Sequence, residues 1–489
     1  MLSFDPNSVK IPLGNFINGK YQALSGQKIP VKRPSDGRFY ADLDEASAED
    51  VDQAVQSAQR AFTESGWRSR PPRERGAVMR RWADLIENDR YLAQLESLGS
   101  TRPISDVIHH EIPFTAEAIR FYAECADKYS GDLFPTRDSS LGMLIPEPYG
   151  VIAAIAPWNF PLSTASWKLG PALAAGNSVV IKPSELTPFS TARMAELGVQ
   201  AGLPAGVLNV VQGRGAITGQ ALITHPLVRK ISFTGSTATG AHIMSAAAYH
   251  GTKPVTLELG GKSPQLVFND AGDIDELAMR MLRGFTANGG QACVAGTRLI
   301  VQTGIAEALT QKLIGLCKGF RPGLTWDEQT GYAPMIDEKQ GQKVASIVAA
   351  AKSQGAEVLV GGERFADTGE GWFWQPTLMC NLTSNNPAIE QEIFGPVLTI
   401  QTFEEEDEGL ALASHESYGL CAGVHTLSLP RALRAMRSID AGTVWINRYT
   451  RSGDFIIPTG GFMQSGIGKD LGRQAFEASH RHKSVLIDF

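Results

Sequence analysis

Gly150-Val-Ile-Ala-Ala-Ile-Ala156-Pro-Trp-Asn-Phe-Pro161, a helical pattern over residues 162–175, and then Ser178-Val-Val-Ile-Lys182 together decide the fold. The first run is apolar without alternation, as expected of a strand buried on both faces. Pro157 stops it. The second run, rich in β-branched residues, reads as a partner strand after a crossover helix. Working outward, the same alternation continues: helix 190–201, strand 207–211, helix 216–225 and strand 230–233. A second alternating block runs from strand 264–268 through helix 275–286, strand 298–301, helices 306–318 and 338–354, and strand 357–360. Before the first block, Asn18-Gly19 reads as a hairpin turn. Ser47 reads as the N-cap of a helix over 47–65, and helices are expected over 73–97 and 111–129. The last residues, 483–489, read as a terminal strand that completes a sheet, its own or a partner's. The fold class is α/β.

At 489 residues the chain exceeds one comfortable core, so two or three domains are expected. A net charge of −6 argues against a large nucleic-acid footprint. The N-terminus has neither the basic nor the apolar region of a secretory leader, and runs such as 151–157 are too short to span a bilayer. Five cysteines without paired spacing fit a reducing, cytoplasmic setting. No metal motif is present; His109-His110-Glu111 reads as a solvated helix surface.

Four constellations and one thiol could carry chemistry. Gly235-Ser236, between a strand and a helix start, suits a phosphate, although Gly235-x-x-x-x-Gly240 is not the usual dinucleotide fingerprint. Lys182-Pro-Ser-Glu185, at a strand end, could hold ribose hydroxyls, and Glu185 would repel a 2′-phosphate. Glu258, between two leucines before Gly260-Gly261, is a general base if buried, or a solvent-facing residue of an edge strand. Asn159, bracketed by prolines, is either an oxyanion donor or a turn former. Cys293 follows Gly289-Gly290 in a loop between helix and strand. A lone cysteine is usually a small buried hydrophobe, the reading that suits Cys125, Cys317, Cys380 and Cys421.

Pro157-Trp-Asn-Phe-Pro161, Lys182-Pro-Ser-Glu185, Phe233-Thr-Gly-Ser-Thr237, Leu257-Glu-Leu-Gly-Gly-Lys262, Gly290-Gln-Ala-Cys293, Glu392-Ile-Phe-Gly-Pro396 and Ser465-Gly-Ile-Gly468 occur in this order. Together they closely resemble the NAD(P)-dependent aldehyde dehydrogenase superfamily, over essentially the whole chain. The resemblance implies a Rossmann-type cofactor domain (1–125 and 149–259), an α/β catalytic domain (260–460), and a small β oligomerisation element with the C-terminal segment (126–148 and 461–489). It implies oxidation of an aldehyde to its acid through a thioester on Cys293, with Asn159 as oxyanion donor and Glu258 as base. Lys168 and Asp470 fall where the family places proton-relay groups, usually with Glu at the latter position. Cofactor contacts are implied for Trp158, Lys182, Ser184, Glu185, Gly235, Ser236, Gly260, Glu392 and Phe394, with NAD preferred and NADP compatible. Phe160, Trp167, Ala292 and Val294 are implied in the substrate pocket.

Glu258 favours hydrolysis over transfer to coenzyme A, the activity of acylating relatives. A non-catalytic protein keeping the fold is the other rival; retention of Cys293, Glu258, Asn159 and Lys182 argues against it. Betaine-aldehyde members share Trp167 but carry further aromatics where this chain has Ala287 and Thr459. The stretch 442–466 is similar to bacterial enzymes of polyamine and ω-aminoaldehyde catabolism. Arg451 and Asp454, expected at the substrate mouth, suit an acid-bearing and an amine-bearing aldehyde respectively. Family members are homodimers or homotetramers, the terminal strand pairing with a neighbour's sheet.

Overall fold

A computed structural model describes residues 2–22, 26–451 and 453–489. The opening stretch forms strands Val151–Ile155 and Ser178–Lys182, joined by helix Pro161–Ala174 and paired in parallel. Both strands are buried throughout, which explains their unbroken apolar runs. Leu208–Val210 flanks Ser178–Lys182, while Val228–Thr234 and then Val255–Glu258 extend the other side, all in parallel. Strand order therefore reverses beside Val151–Ile155. In such sheets ligands bind at the carboxyl ends near this reversal.

The N-terminal hairpin, Asn15–Ile17 and Lys20–Gln22, adds one antiparallel edge of this eight-stranded sheet. Its turn residues Asn18 (φ 53°) and Gly19 (φ 76°) are both left-handed, as a type I′ turn demands. Gly466–Ile467 forms the opposite edge, beside Val255–Glu258. Helix Ala48–Glu64 starts with a capping box, Ser47 and Asp50 each accepting the other's backbone N–H.

A second sheet has seven strands, with Pro264–Val267 and Arg298–Gln302 paired in parallel near its middle. The C-terminal strand begins earlier than expected, at His480, and pairs antiparallel with Ser140–Pro148 of its own chain. No helix among the described residues is long and apolar enough to cross a membrane.

Three helical expectations need correction. The helix over 73–97 is two helices, Pro72–Asn88 and Arg90–Gly99. Asp89 leaves helical geometry (ψ 95°) and its carboxylate accepts the Leu92 N–H at 3.0 Å, capping the second helix. The helix over 216–225 starts as a wide π turn, Gly215–Gly219, before Gln220–Thr224. The third is Ile112–Cys125, entered through another π turn, Val107–Glu111. His109 and His110 stay exposed, but Glu111 is buried and its Oε1 accepts the Ser163 N–H at 2.9 Å.

Candidate active site

The first sheet delivers its polar residues at the carboxyl ends of its strands. Asn159 follows Val151–Ile155, Lys182 ends its strand, Gly235-Ser236 follow Val228–Thr234, and Glu258 ends Val255–Glu258. The second sheet delivers Cys293 from the loop ahead of strand Arg298–Gln302, and Glu392 and Phe394 from the segment ahead of Val397–Phe403. The two sets enclose a cavity of about 930 Å³. It is lined by Trp158, Asn159, Phe160, Trp167, Gly235, Ser236, Gly260, Ala292, Cys293, Val294, Glu392 and Phe394. Lys182, Ser184, Glu185 and Glu258 lie outside that lining.

The nucleophile loop is rigid for identifiable reasons. Asn288 (φ 52°), Gly289 (φ 61°) and Gly290 (φ 72°) are consecutive left-handed residues. A Cβ on Gly290 would lie 2.3 Å from the Gly395 backbone, so only glycine fits. Gln291 is fully buried and spans the loop, its amide donating to the carbonyls of Asn288 (2.9 Å) and Pro334 (2.8 Å) and accepting the Ile336 N–H. Asn159 Nδ2 donates to the Gln291 carbonyl at 2.9 Å, and Asn288 Nδ2 returns a bond to the Asn159 carbonyl, also at 2.9 Å. These bonds lock Asn159 beside the thiol loop and use one of its two amide hydrogens. Among the described residues the Cys293 N–H donates to no protein acceptor. Sequence reasoning missed Asn288 and Gln291; the only signal was two amides set among glycines.

Burial dominates the electrostatics. It pushes the Cys293 thiol up to about 12, against the field of Arg451 and with that of Glu258. Glu258, 4% exposed, is raised to about 8 by burial and by Asp470. Its Oε1 has no hydrogen-bond partner among the described residues. The solvent-facing edge-strand reading of Glu258 is thereby corrected: Gly466–Ile467 covers that edge.

Lys168 and Asp470 sit apart, in a smaller buried pocket shared with Lys230 and Thr256. Lys168 Nζ lies 3.1 Å from Asp470 Oδ2 and 3.3 Å from Ser232 Oγ. Asp470 is long enough to meet the lysine.

The residues flanking the cavity fit a dinucleotide. Ser236 caps helix Thr237–Tyr249, whose first N–H groups suit a pyrophosphate. Glu392 Oε1 accepts the Gly261 N–H at 3.0 Å. A Cβ on Gly260 would lie 2.6 Å from Glu392 Oε2, so glycine keeps that carboxylate in place. Trp158 and Phe394 meet edge to face at 5.2 Å, giving a wall for a flat ring. Lys182 Nζ donates to the carbonyls of Pro183 (2.7 Å) and Gly213 (2.9 Å), with Glu185 at 3.5 Å.

The sequence pattern of the Aldehyde dehydrogenase family matches residues 21–485. The chain belongs to that family. An aldehyde dehydrogenase of Aspergillus niger is 40% identical over 484 residues, covering 98% of this chain and 96% of that one. Among solved structures, an indole-3-acetaldehyde dehydrogenase complexed with NAD+ is 39% identical with a TM-score of 0.96, covering 99% of this chain and 98% of its own. The aldehyde dehydrogenase KauB from Pseudomonas aeruginosa matches equally, at 39% identity and a TM-score of 0.96, with coverage of 99% and 98%. The family's fold is thus the fold of this chain.

Proposed function

We propose that this chain oxidises an aldehyde to its carboxylic acid with NAD, through an acyl thioester on Cys293. One observation carries the reading: the Asn159 amide is locked onto the Cys293 loop, whose Cys293 N–H has no protein acceptor among the described residues. Two such donors are what a carbonyl oxygen needs as it gains charge.

Cys293 Sγ bonds to the carbonyl carbon while its proton leaves. A free thiolate is disfavoured at a thiol raised to about 12, so proton loss to solvent accompanies C–S bond formation. The Asn159 amide and the Cys293 N–H hold the oxyanion. When bound, NAD supplies the hydride acceptor that lets the carbonyl carbon reach the oxidation level of a thioester. Glu258 then takes a proton from water as the water oxygen attacks that carbon. The C–S bond breaks, Cys293 regains a proton from solvent and the acid departs. Lys168 and Asp470 are proposed to pass the Glu258 proton onward; the field of Asp470 at Glu258 supports their coupling.

Trp158, Lys182, Ser184, Glu185, Gly235, Ser236, Gly260, Glu392 and Phe394 would hold the cofactor. Glu185 beside Lys182 favours NAD over NADP, since its carboxylate would repel a 2′-phosphate. The domain limits given above follow the same reading. Assembly into a homodimer or homotetramer is supported by the exposed Leu133, Phe134 and Leu486 of the small sheet and by Phe489 just beyond its last strand. Five unpaired cysteines support a cytoplasmic setting.

NADH release with a panel of aldehydes tests the reading. Cys293→Ala should abolish turnover while retaining NAD binding by calorimetry; substantial remaining activity would overturn the mechanism.

A further inference from the structure

We infer that the substrate is a semialdehyde, whose distal carboxylate is held by Arg451. The inference rests on the aldehyde-oxidation reading and narrows it to a substrate class. Arg451 and Trp167 both line the cavity that holds Cys293. The Arg451 guanidinium carbon sits 4.8 Å from the Trp167 ring centroid, and one Nη donates to Thr459 Oγ1. Thr459 is only 3% exposed and is bridged through its backbone to Asp470, so the guanidinium is tethered to a buried wall. Its other donors are not taken by protein acceptors among the described residues, and no carboxylate there pairs with it.

A guanidinium on a cavity wall with donors to spare suits an anion. Of the other cations on the cavity wall, Arg102 is engaged by Asp106 and lies 3.9 Å from Glu111, while Arg283 and Lys343 are exposed. Arg451 is the foremost cation acting on both Cys293 and Glu258. Asp454, the acidic residue that would suit an amine, is exposed and outside the cavity lining. A cationic aldehyde would find the Trp167 face already covered by a guanidinium, which repels it. Phe114, 4.5 Å from Phe455 and 6.3 Å from Trp167, adds an apolar wall for the methylenes between aldehyde and carboxylate.

The test compares kcat/KM of the purified enzyme with NAD for succinic semialdehyde, glutaric semialdehyde, butanal, pentanal and 4-aminobutanal. Wild type should prefer a semialdehyde over the length-matched neutral aldehyde. Arg451→Gln should lower that preference about 10- to 100-fold, the loss expected for one charged hydrogen bond. Arg451→Lys, which keeps the charge, should retain part of the preference, and Arg451→Glu should shift it toward 4-aminobutanal. Thermal midpoint and NAD binding check that each variant folds. NADH release from butanal or pentanal without preference for either semialdehyde overturns this inference alone. So does an equal loss on charged and neutral aldehydes in Arg451→Gln, because Arg451 would then serve the thiol. No NADH release from any of the five in wild type overturns the aldehyde-oxidation reading itself.

Discussion

Replacing Gly261 with alanine perturbs the nucleophile without touching it. A Cβ at Gly261 would lie 2.5 Å from the Cys293 carbonyl oxygen and 3.2 Å from Leu420 Cβ. A carbon and a carbonyl oxygen settle at about 3.3 Å or more, so one must retreat by about 0.8 Å. Leu420 is buried and blocks the obvious direction of relief, which leaves the Cys293 loop to move. That loop is pinned by Gln291 and by the bonds from Asn159 to the Gln291 carbonyl and from Asn288 to the Asn159 carbonyl, so its shift misaligns thiol and oxyanion donors together. A misplacement of about 1 Å costs roughly 100-fold in rate. Gly261→Ala should therefore lower kcat by about 30- to 100-fold. Its backbone N–H, which donates to Glu392, is kept, so NAD affinity should change little. Overpacking should cost about 1–3 kcal/mol of stability, visible as a lower thermal midpoint. The assay is steady-state NADH release beside NAD titration. A folded Gly261→Ala enzyme with wild-type kcat would refute the reasoning, since the 2.5 Å contact would have been relieved elsewhere.

Glu258, raised to about 8, must lose its proton to act as a base, so wild-type turnover should rise as pH passes through about 8. Glu258→Gln should remove that rising limb and slow the steady state, while a first-turnover burst of NADH survives; normal steady-state turnover would remove Glu258 from thioester hydrolysis. Glu96, 1% exposed, is raised to about 8 by burial and then by Glu111. Its folded pKa lies above the unfolded value, so its contribution is full below about pH 4.5 and is lost as pH rises through about 8. Glu96→Gln should gain on wild type over that window by a few kcal/mol in denaturant unfolding, and a pH-independent difference would count against it.

Much of the scaffold was legible because its signals are local. The unbroken apolar runs marked the buried strands, Asn18-Gly19 marked its turn, and Ser47 marked its helix start. The break at Asp89 was hidden because apolar periodicity continues across it; only a side chain capping the next helix ends the first. Glu111 was misread for a related reason: a π turn alters the spacing on which a helical reading depends. The strand assignment of Glu258 was visible, but its burial was not. A glutamate between leucines fits either face until Gly466–Ile467 covers the edge.

By itself the sequence determined which short stretches become strands, where they stop, and which polar residues stand at their ends. Those outcomes depend on backbone preferences and burial patterns spanning a few residues. Only the tertiary structure decided that Cys293, from a loop of one sheet, lies beside Asn159 and within the field of Glu258, both from the other. It alone set the high pKa values of Cys293 and Glu258, because desolvation depends on everything packed around a group. It also separated Arg451 from Asp454, placing one on the cavity wall and the other in solvent, a choice made by packing between distant segments.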